Sequence, residues 1–114
     1  MYKITQLDNS PKQQITMILD DQSKVIFNFE YKANQLGWFF GITYGNINYQ
    51  NIRLTTDYNC LRAYKSYLPF GLRCDTVDNE EPTDQNDFIN EYSVCYLLTK
   101  EDVEKTEAEY YAKA

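Results

Sequence analysis

The segment Gly37-Trp38-Phe39-Phe40-Gly41-Ile42-Thr43-Tyr44 is apolar almost throughout. A strand of that character needs cover on both faces, which places it inside a sandwich or a barrel. Just upstream, Phe27-Asn28-Phe29-Glu30-Tyr31 alternates apolar and polar residues, the signature of a strand with one buried face. The two are joined by Ala33-Asn34-Gln35-Leu36-Gly37, a loop of hairpin length that contains glycine.

The rest of the chain extends this pattern. Residues 2–7 read as a weak first strand, ended by the turn cluster Asp8-Asn9-Ser10-Pro11, and Gln14 to Leu19 as a second, ended by Asp20-Asp21-Gln22-Ser23. Lys24 to Lys32 is the third, with Val25, Phe27, Phe29 and Tyr31 on one face. Tyr44-Gly45-Asn46-Ile47 predicts a tight hairpin with positive φ at both central positions, leading into a strand over 47–55. In 58–68, Leu61, Tyr64 and Leu68 are spaced for a short helical turn. Pro69 and Gly71 bend the chain into a strand over Leu72–Thr76, a polar loop covers 78–87, and Phe88 to Leu98 reads as the last strand, with Tyr92, Val94, Tyr96 and Leu98 on one face. Thr99, followed by Glu101 and Asp102, is placed to cap a terminal helix.

The fold class predicted is therefore all-β, mainly antiparallel, with about seven strands in a small sandwich or partly open barrel and a C-terminal α-helix. At 114 residues there is room for one β domain over 1–114, with 99–114 as its helical tail. The residues expected inside are Phe27, Phe29, Trp38, Phe40, Ile42, Leu54, Leu61, Leu72, Val94, Tyr96 and Leu98. The tail has little apolar face beyond Val103, Tyr110 and Tyr111, so it needs a partner or its own body to pack on.

The chain holds few tools for chemistry. It has no histidine, which removes the commonest general base and metal imidazole along with any Ser-His-Asp or Cys-His arrangement. Its four glycines are dispersed at 37, 41, 45 and 71, so no phosphate cradle forms. Cys60, Cys74 and Cys95 are odd in number and lack CxxC spacing; they read as reduced thiols acting as small core hydrophobes. Asp75, Asp78, Glu80, Glu81, Asp84 and Asp87 form an acidic loop without the spacing or glycine of an EF-hand, and a solvated, mobile loop at a sheet edge is the expectation there. Trp38, among apolar neighbours, is expected in the core rather than on a sugar platform. No residue is assigned as catalytic, cofactor-binding or metal-ligating.

Charge narrows the partners. A formal net charge of −6, with lysines scattered rather than clustered, opposes binding to a nucleic-acid backbone. No apolar run approaches the ~20 residues that span a bilayer, so membrane insertion is not expected. The opening Met1-Tyr2-Lys3-Ile4-Thr5-Gln6 lacks the positive-then-apolar order of a signal peptide, and the chain is expected to stay in the cytoplasm or enter a particle assembled there.

One resemblance joins these readings. The succession of an alternating strand, the Trp38-Phe39 strand, a third strand, Asn59-Cys60-Leu61, Leu68-Pro69-Phe70-Gly71-Leu72, the acidic loop and a late strand resembles the phage tail family of cyanophage baseplate plugs, over roughly residues 25–103. The resemblance implies a structural protein of the virion tail, assembled in the bacterial cytoplasm, that plugs or lines the central hub of a contractile-tail baseplate. Implied partners are hub, spike or tail-tube proteins, or further copies of the chain. The interface candidates are Leu68, Pro69, Phe70, Gly71 and Leu72, the acidic loop, and Tyr110 and Tyr111 of the tail. Phe70 either projects from the turn as an anchor for a partner or folds back onto the core; both remain open in the sequence. The long acidic tail departs from the family pattern, and its role does not carry over. The alternative, from another class, is a β-sandwich module that binds a carbohydrate or peptide through exposed tyrosines.

Overall fold

The computed structural model describes residues 1–111 and contains seven strands in two antiparallel sheets, followed by one helix. The first sheet is a meander of β2 (Lys12–Ile18), β3 (Lys24–Lys32), β4 (Gly37–Tyr44) and β5 (Ile47–Arg53), each beside its neighbour in sequence. The second is built from distant segments: β1 (Tyr2–Lys3), β6 (Gly71–Thr76) and β7 (Ser93–Leu98), in the order β1-β7-β6. The all-β expectation holds, and two separate sheets decide for a sandwich over a barrel.

Period-two alternation sets the meander. Val25, Phe27 and Phe29 of β3 face inward and are at most 1% exposed. Register with β4 sets Phe27 opposite Ile42, Phe29 opposite Phe40 and Tyr31 opposite Trp38. Burying one such ring contributes about 2–3 kcal/mol. The 44–47 hairpin takes positive φ at Gly45 alone (57°), as the first centre of a II′ turn does, rather than at both central positions. Between β4 and β5 the register shifts at Phe40/Ile42, and Asn51 sits at φ 58°, which makes a bulge in β5.

The core lies between the sheets, where Phe70, Leu72, Cys74, Cys95 and Leu97 of the second sheet side meet the β3 and β4 residues. Nine of the eleven residues expected inside are buried. Val94 and Tyr96 are the corrections: they are only partly buried, and β7 turns Ser93, Cys95 and Leu97 inward instead. Pairing explains the choice, because β6 buries Leu72 and Cys74, and these stand opposite Leu97 and Cys95. Residues facing each other in an antiparallel pair share a face, so β7 has no freedom to choose. β7 is also shorter than expected, since 88–92 are turns rather than strand.

The helix begins as its sequence demands. The Thr99 hydroxyl accepts from the Asp102 N–H and the Asp102 carboxylate accepts from the Thr99 N–H, a reciprocal capping box. α1 (Lys100–Thr106) buries Val103 and Thr106 and widens into a looser turn over Glu107–Tyr111. Positions 112–114 of the expected tail lie outside the described residues.

Candidate functional site

The Leu68–Leu72 bend, first among the interface candidates, points mostly inward. Leu68 is 5% exposed and Phe70 and Leu72 are fully buried. The Phe70 ring meets Phe27 edge-on at 6.1 Å and Tyr44 at 5.4 Å, bridging the two halves of the core. The reading of Phe70 as an exposed anchor is thus replaced by its alternative, the ring folded back. The physical reason is strand alternation: Phe70, Leu72 and Cys74 share one parity, and all three lie inside.

Gly71 and Asn59 hold the bend in place. Asn59 is 2% exposed, and its Oδ1 accepts from the N–H of Leu61 at 3.0 Å and of Leu72 at 3.2 Å. A Cβ at Gly71 would lie 2.6 Å from that oxygen, so only glycine lets the chain pass beneath the amide. Of the five candidates in the bend, Pro69 alone keeps partial exposure. It lines an apolar cavity of about 200 Å³ together with Tyr2, Leu19 and Leu97, while Asp20, Asp21, Thr99 and Lys100 complete the lining.

The tail candidates are engaged with the body. Tyr110 stacks on Tyr58 with ring centres 3.8 Å apart and planes 7° off parallel. Tyr111 lies under the Arg62 guanidinium at 4.0 Å, a cation–π contact. Glu107 accepts from Arg62 at 2.7 Å and from Lys65 at 2.6 Å. The hydrogen bond from Arg62, then that from Lys65, hold the Glu107 carboxyl below its ordinary range. Tyr110 is still 43% exposed at its rim.

The acidic loop is solvent-exposed over most of its length, and side chains of the meander anchor its backbone at two points. The Tyr31 hydroxyl donates to the Thr83 carbonyl at 2.7 Å, and Trp38 Nε1 donates to the Asp84 carbonyl at 3.1 Å. Trp38 is fully buried, with Phe88 of the following turn edge-on at 4.9 Å. Arg53 holds Glu81 at 3.0 Å, Arg73 holds Asp75 at 2.9 Å, and Tyr92 bonds Asp78. Asp84 and Asp87 accept from nearby backbone amides, and burial raises the Asp87 carboxyl above its usual range. These five carboxylates thus point to different partners. Among the described residues, no three Asp, Glu or Cys side chains converge as metal ligands would.

The thiols are inert by position. Cys74 and Cys95 face each other across β6–β7 and are fully buried. Burial, above all, pushes Cys60 up to about 12, and the neighbouring Cys74 side chain raises Cys95. At neutral pH each of these two stays a thiol, the poorly nucleophilic form. Of the exposed tyrosines, Tyr58 and Tyr110 stack on each other, while Tyr2 and Tyr67 are 51% and 67% exposed. No helix among the described residues is long and apolar enough to cross a membrane.

Sequence reasoning missed the roles of Arg62 and Tyr58 in docking the tail, and no local pattern marks them, because their partners lie 45 residues or more along the chain. Comparison with known families gives one finding: a family model described as cyanophage baseplate Pam3 plug gp18 matches residues 1–100. No curated protein matches the chain.

Proposed function

The chain belongs to the cyanophage baseplate plug family, and from that membership we propose that it closes or lines the central hub of a contractile-tail baseplate through protein–protein contacts. The observation that carries this reading is the reach of the match: residues 1–100 take in both sheets and the start of α1, so the whole β body is family body. The partners are hub, spike or tail-tube proteins, and the chain resides in the virion tail after assembly in the host cytoplasm. It acts without catalysis, by shape. A filled core and locally paired carboxylates suit a body that must keep its form under load from its neighbours. Pro69, the exposed rim of Tyr110, the part-exposed Tyr111 and the exposed acidic-loop residues Asp78, Glu80 and Glu81 are the interface candidates with surface to offer, and Leu68, Phe70, Gly71 and Leu72 pack beneath Pro69.

Mass spectrometry of purified tails tests the reading. Peptides of this chain at a fixed, low copy number alongside baseplate proteins are the expected result. Their absence from complete particles overturns it.

A further inference from the structure

Four strand edges bound the two sheets, and three are short, partly covered or irregular. β1 is only two residues long. β6 is covered at Leu72, whose N–H donates to Asn59 Oδ1 and whose carbonyl accepts from the Cys60 N–H at 2.6 Å. β5 is interrupted by its bulge and the positive φ of Asn51. β2 differs from all three. Its seven residues pair with β3 in unbroken register, with no proline or bulge, and Lys12 at its start is the one charge. Bulges, prolines, short length and charge are what keep an edge from pairing with another chain, and β2 has almost none of them.

The ladder shows which groups are free. The Pro11 carbonyl accepts from the Tyr31 N–H at 2.8 Å, and the Leu19 N–H donates to Ser23 at 2.7 Å. Antiparallel bonding alternates, so residues 13, 15 and 17 also bond to β3, while Gln14, Thr16 and Ile18 turn N–H and carbonyl outward. Where β2 ends, at Leu19–Asp21, the Pro69 cavity opens, and beside it Tyr2 and Ile18 are 51% and 57% exposed.

We propose that the open edge of β2 accepts an extended segment of another baseplate chain by strand addition, with one apolar side chain of that segment seated in the adjacent cavity. The proposal rests on the baseplate reading and adds the surface and the form of the partner. Charge selects the occupant. Asp20 and Asp21 outnumber Lys100 in the cavity lining and the body carries −6, so two copies repel each other, whereas a neutral or basic segment is accepted. On its inner side the segment continues the apolar row of Ile15 and Met17, and on its outer side the polar row of Gln14 and Thr16.

The test is Thr16→Pro. The Thr16 N–H points away from β3, and proline is tolerated on an edge strand at such a position, so the fold keeps its ladder while the incoming strand loses a donor. Folding is checked by the fluorescence of buried Trp38, and incorporation by mass spectrometry of tails. The expected result is a folded variant that enters tails about tenfold less, the ratio that one lost backbone hydrogen bond carries. In wild-type tails, the amides of Gln14, Thr16 and Ile18 should exchange slowly, and in the free chain quickly. Should Thr16→Pro fail to fold, Thr16→Lys, which leaves the backbone intact and adds an edge charge, takes its place with the same readouts. Normal incorporation of the folded variant, with those amides unprotected in tails, overturns the proposal and leaves the baseplate reading standing. Absence of the wild-type chain from tails overturns both. A concentration-dependent dimer of the free chain that protects the same amides makes the occupant a second copy, and overturns the proposal as stated.

Discussion

The two sheets reach similar order by opposite routes. In the β2–β5 meander each strand pairs with its neighbour in sequence, and short turns close every connection. The β1-β7-β6 sheet joins the two ends of the fold: Tyr2 pairs with Leu97, and a long acidic loop separates β6 from β7. Local pairing incurs little loop-closure entropy, whereas distant pairing must offset more. The second sheet is accordingly fastened by individual polar side chains: Asn59 on β6, Tyr31 and Trp38 on the acidic loop. The meander gets by on alternation, and the other sheet depends on fasteners.

The largest effect should come where the two routes meet. Phe70 touches Phe27 and Tyr44 across the core, so Phe70→Ala should cost about 3–5 kcal/mol in urea unfolding followed by Trp38 fluorescence. A loss below about 1 kcal/mol would show the sheets to be energetically independent, breaking the comparison. Next comes a fastener. Asn59→Ala leaves the buried amides of Leu61 and Leu72 without their acceptor, but it also removes Nδ2, which has no partner of its own. A net cost of about 1–2 kcal/mol is expected, with amide exchange rising in β6 and not in β3. The smallest effect belongs to the tail. Glu107 is held ionised by Arg62 and Lys65, so its stabilisation is full above the ordinary value of 4.5 and fades as pH falls through the lowered one. The protection factors of the α1 amides, which compare exchange with that of an unstructured chain at the same pH, should therefore fall below about pH 4.5, while those of β3 and β4 stay unchanged.

Legibility in the sequence follows the same division. The bounds of β3 and β4 are those that alternation and the apolar run predict, because the information is local. Phe70 carried a legible sign too, since Phe70, Leu72 and Cys74 repeat with period two, but the proline–glycine bend around it speaks for a turn tip. The inward face of β7 could not be read from β7 itself. Both of its faces are apolar, and the decision lies with Leu72 and Cys74 on β6. Nor could the acidic loop: its own residues are polar and charged, and what holds it is a hydroxyl and an indole from the opposite sheet bonding its backbone. The positive φ near residue 37 falls on Leu36 (47°) rather than on the glycine beside it, a placement set by the 33–35 turn and not by residue preference. The tail tyrosines are legible as sticky, while the partner they stick to is not.

The bulge in β5 has a consequence for counting. A sheet open on both sides adds units at either end and lengthens without limit, as fibres do. Here one flank is spoiled at Asn51, and only the other stays regular. Under the proposed strand addition such a body is a terminator rather than a link: a strand laid along β2 ends there, and stoichiometry is then fixed by geometry instead of by supply.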